Sequence, residues 1–365
     1  MKQTPTRAKV TDVAKLADVH PSTVSRALNP ETRHRISPPV VARIIEAAQR
    51  LDYQADAIAS SLRSGRSRMI GVVLPDITNP VFPPILGGIE AVLEREGYVA
   101  IVANATSDTA RQRLLVERLA ARQVDGMILA TVARNDPLVQ VIVDRRIPLV
   151  LVNRSESKCA VPAVFSNDAR GMAIATEHLV TLGHRRIAHL GGPPTYSTGH
   201  DRREGFLAAA ADYGIESSAV VSAAAYSREA GREAANRLLT ENPDITAIVA
   251  ANDLLAVGCL DALREKGLRC PRDVSLVGHN DMPLMDALSP PLTTVRIQHH
   301  EMGQEAARLI LRSLADQSDN LQVMLLPTLI IRQSTCPPRD RAGVGEPVRN
   351  IAQSLTQKPT HGRVS

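Results

Sequence analysis

The feature that most constrains the fold of this chain is a repeated alternation of short apolar runs with longer amphipathic segments after Met69. Nearly continuous apolar runs are typical of strands buried on both faces, as in parallel sheets that are covered by helices. The runs fall into two series, which predicts an α/β fold with two doubly wound parallel-sheet lobes. The first series is MIGVVL (69–74), YVAIVAN (98–104), GMILA (126–130) and PLVLV (148–152), and the second is RIAHL (186–190), ITAIVA (245–250) and VSLVG (274–278).

Polar side chains cluster directly after these apolar runs. In open sheets of this kind, ligands bind outside the carboxyl ends of the strands. We therefore expect a small-ligand site near these ends. The polar residues are Asp76 and Asn79, Asn104, Asn153 and Arg154, Asn252 and Asp253, and Asn280 and Asp281.

The segment before the first apolar run, residues 1–53, predicts a small all-α domain. Apolar residues recur at helical spacing from Val10 to Ala17, at Val24 and Leu28, and again from Val41 to Leu51. The start of the last helix is well marked, because Ser37 can cap it and Pro38 suits its first turn. A short helix, a turn and a second short helix with a polar start is helix-turn-helix geometry.

The stretch HPSTVSRALN (20–29) separates apolar and polar side chains onto two faces of the second helix. Val24 and Leu28 face inward in this interpretation. Arg26 faces outward and is long enough to donate two hydrogen bonds to guanine O6 and N7. Ser22 and Ser25 can reach either bases or phosphates, so the outer face is suited to reading DNA.

Charge is distributed unevenly along the chain. The net charge is +5, but residues 1–68 contain 12 Lys or Arg against 6 Asp or Glu, and the remainder is close to neutral. A basic surplus in one segment is the electrostatic footprint of a phosphate-binding surface. The alternative, a solvated basic surface without a partner, stays open on charge alone.

Two segments differ in composition from the domains around them. Residues 54–68, QADAIASSLRSGRSR, contain mostly small residues, serines and arginines, which predicts a hinge helix and linker that is too short to be stable alone. Residues 69–336 would then form the two-lobed domain. The last segment, 337–365, is polar and rich in Pro and Gly, so we expect a disordered tail.

The chain resembles the LacI family of bacterial transcriptional regulators in several long, ordered motifs. The likeness runs to about residue 335. Because the motifs are long and occur in the family's order, the match is highly specific. It implies a helix-turn-helix domain followed by a two-lobed effector domain similar to periplasmic sugar-binding proteins. The motifs are TDVAKLADVHPSTVSRALN (11–29), SPPVVARIIEAAQRLDY (37–53), DAIASSLRSGRSRMIGVVLPD (56–76), ANDLLAVGCLDALREKGLRCPRDVSLVGHND (251–281) and PPLTTVR (290–296).

The resemblance assigns roles in DNA binding to particular residues. His20, Pro21 and Ser22 stand where the family varies its operator choice, and Arg26 matches its frequent base-reading arginine. Leu62 matches a leucine that wedges into the minor groove and kinks the operator. The whole set implied to contact DNA is Thr11, His20, Pro21, Ser22, Thr23, Ser25, Arg26, Asn29, Ala59, Leu62 and Arg63.

Three residues depart from the family pattern in this domain. Asp18 stands where glycine normally closes the turn, although Asp tolerates the left-handed region. His20 replaces a serine that usually caps the recognition helix, and Lys9 replaces a hydroxyl cap on the first helix. We expect these changes to affect operator sequence rather than DNA binding itself.

The resemblance also implies a small effector in a cleft between the lobes, with chain crossings near 162–166, 281–295 and 319–328. The N-lobe would comprise 69–162 and 296–319, and the C-lobe 166–281 and 328–336. Each implied contact has a plainer alternative: Phe82 and Phe165 as core, Asn252 as a helix cap, Arg202 as a solvated helix residue and Tyr226 as a helix-start residue. The implied effector residues are Asn79, Phe82, Asn153, Phe165, Arg202, Tyr226, Asn252, Asp253 and Asn280.

The expected chemistry of the effector follows from one further departure. Asn280 replaces a common aspartate, and His279 a common tyrosine. A neutral amide there weakens the case for a neutral hexose and leaves room for an acidic sugar or another ligand. The partners implied are therefore operator DNA, a sugar or sugar acid, and a second copy of the chain, with induction favoured over co-repression.

Other classes of function lack their motifs. The turn LPDITNPVF (74–82) has no Gly-x-Gly-x-x-Gly, and the chain contains no P-loop, HExxH or Gly-x-Ser-x-Gly, so we expect neither an enzyme nor a cofactor or metal site. The four cysteines form no CxxC pair, and no apolar run reaches 18 residues. Without a secretory segment, these features indicate reduced thiols in a bacterial cytoplasm, at the nucleoid. A ligand-binding protein without DNA function is the alternative interpretation.

Overall fold

Three short helices form the N-terminal part of the computed structural model. Helices α1 (Val10–Leu16), α2 (Pro21–Leu28) and α3 (Pro38–Arg50) are joined by a tight turn and by a 3-10 turn at Arg33–Arg35. Their apolar faces meet in one core, in which Val13, Val24, Ala27 and Ile44 are fully buried. The structure describes residues 8–29, 32–53, 65–106, 108–158, 161–215, 218–317 and 320–339.

Two predicted segments fall mostly outside these ranges. The predicted hinge helix, with Ala59, Leu62 and Arg63, lies outside the described residues. All but three residues of the predicted tail, 337–365, do so as well. Their predictions therefore stay predictions.

The turn between α1 and α2 adopts the left-handed conformation that was expected at Asp18, whose φ is +50°. The N–H of Val19 donates to the carbonyl of Ala14 at 3.0 Å. Nε of Arg43, on α3, donates to the carbonyl of Ala17 at 2.8 Å. Carbonyls at the end of a helix lack intrahelical partners, so Arg43 both satisfies one of them and fixes α3 against α1.

The remaining elements alternate as the apolar runs predict, with helices between successive strands. In chain order they are β1 (Met69–Leu74), α4 (Phe82–Leu93), β2 (Val99–Asn104), α5 (Thr109–Ala121), β3 (Gly126–Leu129), α6 (Pro137–Asp144), β4 (Leu149–Val152), β5 (Ala163–Ser166), α7 (Asp168–Thr181), β6 (Ile187–Gly191), α8 (Ser197–Asp212), β7 (Val220–Ser222), α9 (Arg228–Glu241), β8 (Ala247–Ala250), α10 (Asp253–Glu265), β9 (Ser275–Asn280), β10 (Thr293–Arg296), α11 (His299–Leu314), β11 (Gln322–Leu325) and β12 (Thr328–Ile330).

The α/β sheet of the first compact unit contains, within the described residues, six strands in the order β11-β5-β4-β3-β1-β2. The pairs from β2 through β1, β3 and β4 to β5 are parallel. Central strands are buried on both faces, but β2 is an edge strand, and Val99 in it is 61% exposed. The run 98–104 thus forms a strand as predicted, without the full burial of its neighbours.

The sheet of the second compact unit has, among the described strands, the order β12-β10-β9-β8-β6-β7. It is parallel except for the edge strand β12, which is antiparallel to β10. Helices α7 and α8 pack on one face, and their core includes Met172, Phe206 and Val249. Helices α9 and α10 pack against each other. This is the doubly wound arrangement that the sequence predicts.

Glycines allow two helices of the first unit to meet at backbone distance. A Cβ on Gly303 of α11 would lie 1.9 Å from the carbonyl oxygen of Ile85, and a Cβ on Gly88 of α4 would lie 2.1 Å from that of His300. Both distances are far below van der Waals contact, so neither position accepts a side chain without separating α4 from α11.

The chain passes between the two units at 165/166, 297/298 and 325/326. The middle crossing was expected within 281–295, which is too early. The reason is that β10 pairs with both β9 and β12, so Thr293–Arg296 is part of the second sheet rather than a connection. The span 296–319 assigned to the N-lobe accordingly begins about two residues later.

Three local features bear on the sequence predictions. Ser37 stands at the N-cap of α3, but its side chain makes no capping hydrogen bond. Cys259, Cys270 and Cys336 are free thiols, whereas Cys159 is outside the described residues. Of the helices described, none is both long and apolar enough to cross a membrane.

Candidate DNA-binding and effector-binding sites

Helix α2 presents a polar face to solvent because its apolar residues are used in the core. Val24 and Ala27 are fully buried, and Leu28 packs against the same core. Ser22 and Arg26 are exposed. Residues four positions apart lie on the same side of a helix, so the serine and the arginine form one exposed face.

His20 caps α2 in place of the serine of the family pattern. Its Nδ1 accepts a hydrogen bond from the N–H of Ser22 at 3.2 Å and lies 2.8 Å from the hydroxyl of the same residue. Pro21 follows in the first turn, where its missing N–H costs nothing. The replacement of serine by histidine therefore preserves the cap.

The start of α1 has a side-chain hydrogen bond that the lysine at position 9 did not lead us to expect. The carboxylate of Asp12 accepts from the N–H of Lys9 at 2.8 Å. A carboxylate in the first turn also interacts favourably with the helix dipole. Asp12 thus compensates for the missing hydroxyl at position 9.

Two residues beyond α2 fix its carboxyl end, and sequence reasoning missed both. Oγ1 of Thr32 donates to the carbonyl of Arg26 at 2.9 Å, and Nε of Arg33 donates to that of Ala27 at 2.9 Å. The neighbouring side chains of His34 and Arg35 are exposed. A hydroxyl and a cation just after a helix end were the available signals.

The other predicted DNA contacts differ in exposure. Thr11 on α1 and Asn29 at the end of α2 are exposed, while Pro21, Thr23 and Ser25 are half-buried. All five residues lie on or beside the first two helices.

The predicted effector residues of the first unit are less uniform. Asn79 is half-buried, and its Oδ1 accepts from the N–H of Val81 at 3.2 Å. Asn153 directly follows β4, has a φ of +64° and is half-buried. Phe165 packs against the hydrophobic core of this unit. Phe82 is only 2% exposed. The structure therefore fits the alternative interpretation of Phe82 as a core residue better than the predicted ligand contact.

Arg202 is the centre of a buried polar cluster in the second unit, which we define as Arg202, Asp168, His279 and Asn280. The Arg202 side chain is 3% exposed, which excludes the solvated helix face considered for it. Nη1 donates to the carbonyl of Ala251 at 2.6 Å, and Nη2 donates to Oδ1 of Asp168 at 2.9 Å and to Oδ1 of Asn280 at 3.3 Å.

Asp168 and His279 complete this cluster, and neither was among the predicted site residues. Burial raises the pKa of Asp168 to about 6, against the opposing effect of the Arg202 charge. Nε2 of His279 lies 3.6 Å from Oδ1 of Asp168, and its Nδ1 lies 3.1 Å from Oδ1 of Asn280. The sequence signal for Asp168 was its place at a helix start just after β5.

Asp253 is held entirely by the protein. Its Oδ1 accepts from the hydroxyl of Thr294 at 2.6 Å, and its Oδ2 from the N–H of Met282 at 2.8 Å. The side chain is fully buried, which raises its pKa to about 7. This geometry favours a structural role, in which Asp253 fixes the segment after β9, over the predicted ligand contact.

Asn252 and Tyr226 lie at helix starts of the same unit. Oδ1 of Asn252 caps α10 by accepting from the N–H of Leu255 at 2.9 Å, in agreement with its alternative interpretation. The hydroxyl of Tyr226 donates to Oγ1 of Thr198 at 3.2 Å. A Cβ on Gly192 would lie 2.3 Å from the Tyr226 ring, so the glycine makes room for this aromatic side chain.

The structure thus joins Arg202 and Asn280 directly and adds two partners that the sequence did not reveal. Asn252 and Asp253 follow β8, and Asn280 ends β9, so all three lie at the carboxyl ends of neighbouring strands. Such an arrangement can bind a polar ligand through hydrogen bonds. Among the residues described, no group of three or more His, Cys, Asp or Glu could hold a metal ion.

Comparisons with known proteins match both parts of the chain. Residues 9–56 match the family model described as bacterial regulatory proteins, lacI family, and residues 176–335 match the model of a periplasmic binding protein-like domain. The ribose operon repressor of Halalkalibacterium halodurans is 32% identical over 327 residues, covering 89% of this chain and 96% of that protein.

Two solved structures extend the similarity to the fold. A lac repressor dimer bound to operator and the anti-inducer ONPF is 26% identical, with a TM-score of 0.81, and covers 91% of this chain and 100% of that chain. A LacI family transcriptional regulator from Enterococcus faecium with bound ribose is 31% identical, with a TM-score of 0.66, and covers 74% of this chain and 100% of that chain.

Proposed function

The chain belongs to the LacI family of bacterial transcriptional regulators, and from this premise we propose that it is a repressor that binds a palindromic operator as a dimer. It is a sequence-specific DNA-binding regulator, and its relatives are regulators rather than enzymes. The enzyme interpretation is therefore set aside.

The observation that carries this proposal is the exposed face of α2. The helix buries Val24 and Ala27 and leaves Ser22 and Arg26 exposed at positions that can face base edges. A recognition helix in the major groove contacts bases with such residues. The basic surplus of residues 1–68 supplies long-range attraction to the phosphates.

Two copies of this unit are needed to read a palindrome. A two-fold symmetric operator is matched by a two-fold symmetric protein, with half-sites about one helical turn apart. We accordingly propose a homodimer that acts on DNA in the bacterial cytoplasm. The lac repressor to which the chain is similar was solved as a dimer on its operator.

The buried polar cluster and its neighbours support a small polar effector. Hydrogen-bonding groups at the carboxyl ends of β8 and β9 suit the hydroxyls of a sugar or a sugar acid. The similar regulator from Enterococcus faecium was solved with ribose. Coupling of effector and operator binding of this kind amounts to about 1–3 kcal/mol. We favour induction, in which the effector weakens operator binding.

The decisive experiment measures DNA binding by the full chain. Fluorescence anisotropy with labelled DNA from upstream of its own gene, at physiological salt, is expected to show tight binding that random competitor DNA does not displace. Equal displacement by random and specific competitors would contradict the proposal. That outcome would leave a ligand-binding protein without DNA function as the better interpretation.

A further inference from the structure

Asn280 has a fixed amide orientation, and this orientation decides what it can offer a ligand. Its Oδ1 accepts from Nη2 of Arg202 at 3.3 Å and from Nδ1 of His279 at 3.1 Å. Arginine is only a donor, so the oxygen of the amide must point toward it. The amide nitrogen therefore points away from the cluster.

The amide nitrogen of Asn280 is available for a ligand. Within the described part of the chain, Nδ2 donates to no other residue, and it retains contact with solvent. The side chain as a whole is 4% exposed, and the backbone φ is +109°. A buried side chain on a strained backbone that leaves one donor accessible is typical of a binding position.

A second donor lies in the same cluster. Nε of Arg202 is buried and makes no hydrogen bond to any described residue. The guanidinium is held in place by its other nitrogens, which bond to Ala251, Asp168 and Asn280. Leaving a buried donor unpaired is unfavourable, so a ligand that accepts from it recovers free energy.

Three of the four carboxylate oxygens of Asp168 and Asp253 are already occupied, and Oδ2 of Asp168 accepts no hydrogen bond within the described residues. Oδ1 of Asp168 accepts from Arg202, and both oxygens of Asp253 accept from the protein. The ligand group that faces Asn280 thus meets two donors, Nδ2 of Asn280 and Nε of Arg202. A group that only accepts hydrogen bonds fits this environment better than a hydroxyl that must also donate.

The charge of the cluster also favours an acceptor that is an anion. Asp168 faces Arg202, His279 and Asp201, and burial raises its pKa to about 6. Asp253 faces Thr294, Asp281 and Arg202, and burial raises its pKa to about 7. Asp168 and the neighbouring Asp253 are largely protonated below these values while Arg202 stays charged, so the surroundings of Arg202 become more positive as the pH falls from 8 to 6.

Building on the proposed function, we propose that the effector is a polyhydroxy carboxylate, an aldonate or a uronate, whose carboxylate accepts from Nδ2 of Asn280 and Nε of Arg202. Hydrogen bonds from a guanidinium to a carboxylate are stronger than those to a neutral oxygen. The hydroxyls of such a ligand remain for other polar groups of the second unit.

The test is calorimetric titration of the full chain with matched pairs of ligands. The acids are D-gluconate, D-galactonate, D-glucuronate and D-galacturonate, and the neutral partners are D-glucose and D-galactose. We expect at least one acid to bind 10-fold or more tightly than its aldose at pH 6.5. Its affinity should fall several-fold from pH 6 to pH 8, because carboxylate binding favours the protonated cluster.

Two variants test Asn280 itself. Asn280→Asp replaces the donor with a carboxylate and should weaken binding of the acid by 30-fold or more. Asn280→Gly suits the positive φ, removes the donor and should weaken the acid more than the aldose. Asn320→Asp, which makes the same charge change at an exposed position of the first unit, should leave both affinities unchanged.

Three outcomes would overturn the carboxylate proposal: an aldose that binds as tightly as its acid, an unchanged acid-to-aldose ratio in Asn280→Asp, or no binding by any of the four acids. Operator binding is measured separately on the same preparations. Loss of specific operator binding would refute the regulator, whereas intact operator binding with a tighter aldose refutes only the carboxylate.

Discussion

The exposed face of α2 and the buried polar cluster of the second unit both consist of polar side chains, but their partners differ. Arg26 points to solvent, and its partner is a DNA base that is supplied from outside. Arg202 is 3% exposed and bonds to Asp168, Asn280 and the backbone of Ala251. Arg26 therefore needs DNA as its partner, whereas Arg202 already has three partners within the protein.

In the first region, the side chains assigned to DNA binding contribute little to the stability of the fold. In the second region, the same side chains both stabilise the fold and face the proposed ligand. Removing an exposed side chain leaves no buried group unpaired, so the fold is unaffected. Removing a member of a buried network leaves its partners desolvated and uncompensated. Four variants can break or sharpen this contrast, and their expected effects decrease from Arg202→Ala to His20→Ala.

Arg202→Ala should have the largest effect. It leaves the buried carboxyl of Asp168 without its cation, and breaking a buried pair in this way costs about 3–5 kcal/mol. Urea unfolding at pH 7 measures the loss. Arg203→Ala, which removes the neighbouring and more exposed arginine, is the control and should change stability by less than about 0.5 kcal/mol. Similar losses in both variants would show that the cluster adds no stability.

His189→Gln should change the pH dependence of stability. Burial lowers the pKa of His189 to about 4, and its Nδ1 bonds to the carbonyl of Val249 at 2.9 Å. The unfolded chain takes up this proton near pH 6.5 and the folded chain only near pH 4, so the free energy of unfolding falls as the pH drops through this window. The linked loss is roughly 2–3 kcal/mol.

The variant lacks this titration, so its stability should fall less between pH 7 and pH 4.5 than that of the natural chain. Urea unfolding at the two pH values gives the comparison. His34→Gln, at an exposed histidine, should keep the natural pH dependence. A parallel decline in His189→Gln would refute the buried neutral histidine.

Arg26→Ala should weaken operator binding by about 1–3 kcal/mol and relax specificity at one base pair of each half-site. Stability should be unchanged, in contrast to Arg202→Ala. Anisotropy with operators changed at single base pairs measures the effect. Arg113→Ala removes an equally charged exposed residue of the first unit, 65% exposed, and should bind like the natural chain. Unchanged affinity and specificity in Arg26→Ala would remove its assigned role.

His20→Ala should have the smallest effect, a loss of about 1 kcal/mol in the stability of the helical domain. The N–H of Ser22 loses its acceptor in this variant. His20→Ser restores a capping oxygen and should recover most of the loss. Hydrogen exchange of the first amides of α2 reports on the cap directly. Equal protection in all three proteins would mean that His20 does not cap.

Much of the fold could be predicted because the buried strands appear in the sequence as continuous apolar runs. Each of the seven apolar runs contains a strand of the two sheets. The middle crossing was missed because the choice of sheet for β10 depends on pairing with β9 and β12, which lie outside the local pattern. The edge position of β2 depends likewise on strand order.

The candidate site could be predicted only in part, for a related reason. Arg202 and Asn280 were identified, but Asp168 contacts Arg202 across 34 positions of the chain, and His279 contacts Asp168 across 111. A local sequence window does not contain such a contact. The lack of a capping bond at Ser37 and the full burial of Asp253 likewise depend on neighbours that a single stretch does not reveal.

The backbone contact between α4 and α11 has a consequence for synthesis of the chain. Gly88 on α4 and Gly303 on α11 make this contact although they lie more than 200 positions apart in the chain. Strand β11, which follows α11, completes the sheet of the first unit. The first unit must therefore wait for residues 298–325 to leave the ribosome, while residues 166–297 of the second unit emerge as one continuous stretch. The second unit in turn needs β12, which emerges after residues 298–325, so the first sheet is complete only once residue 325 has left the ribosome and the second only once residue 330 has, and the early strands of both stay exposed until then.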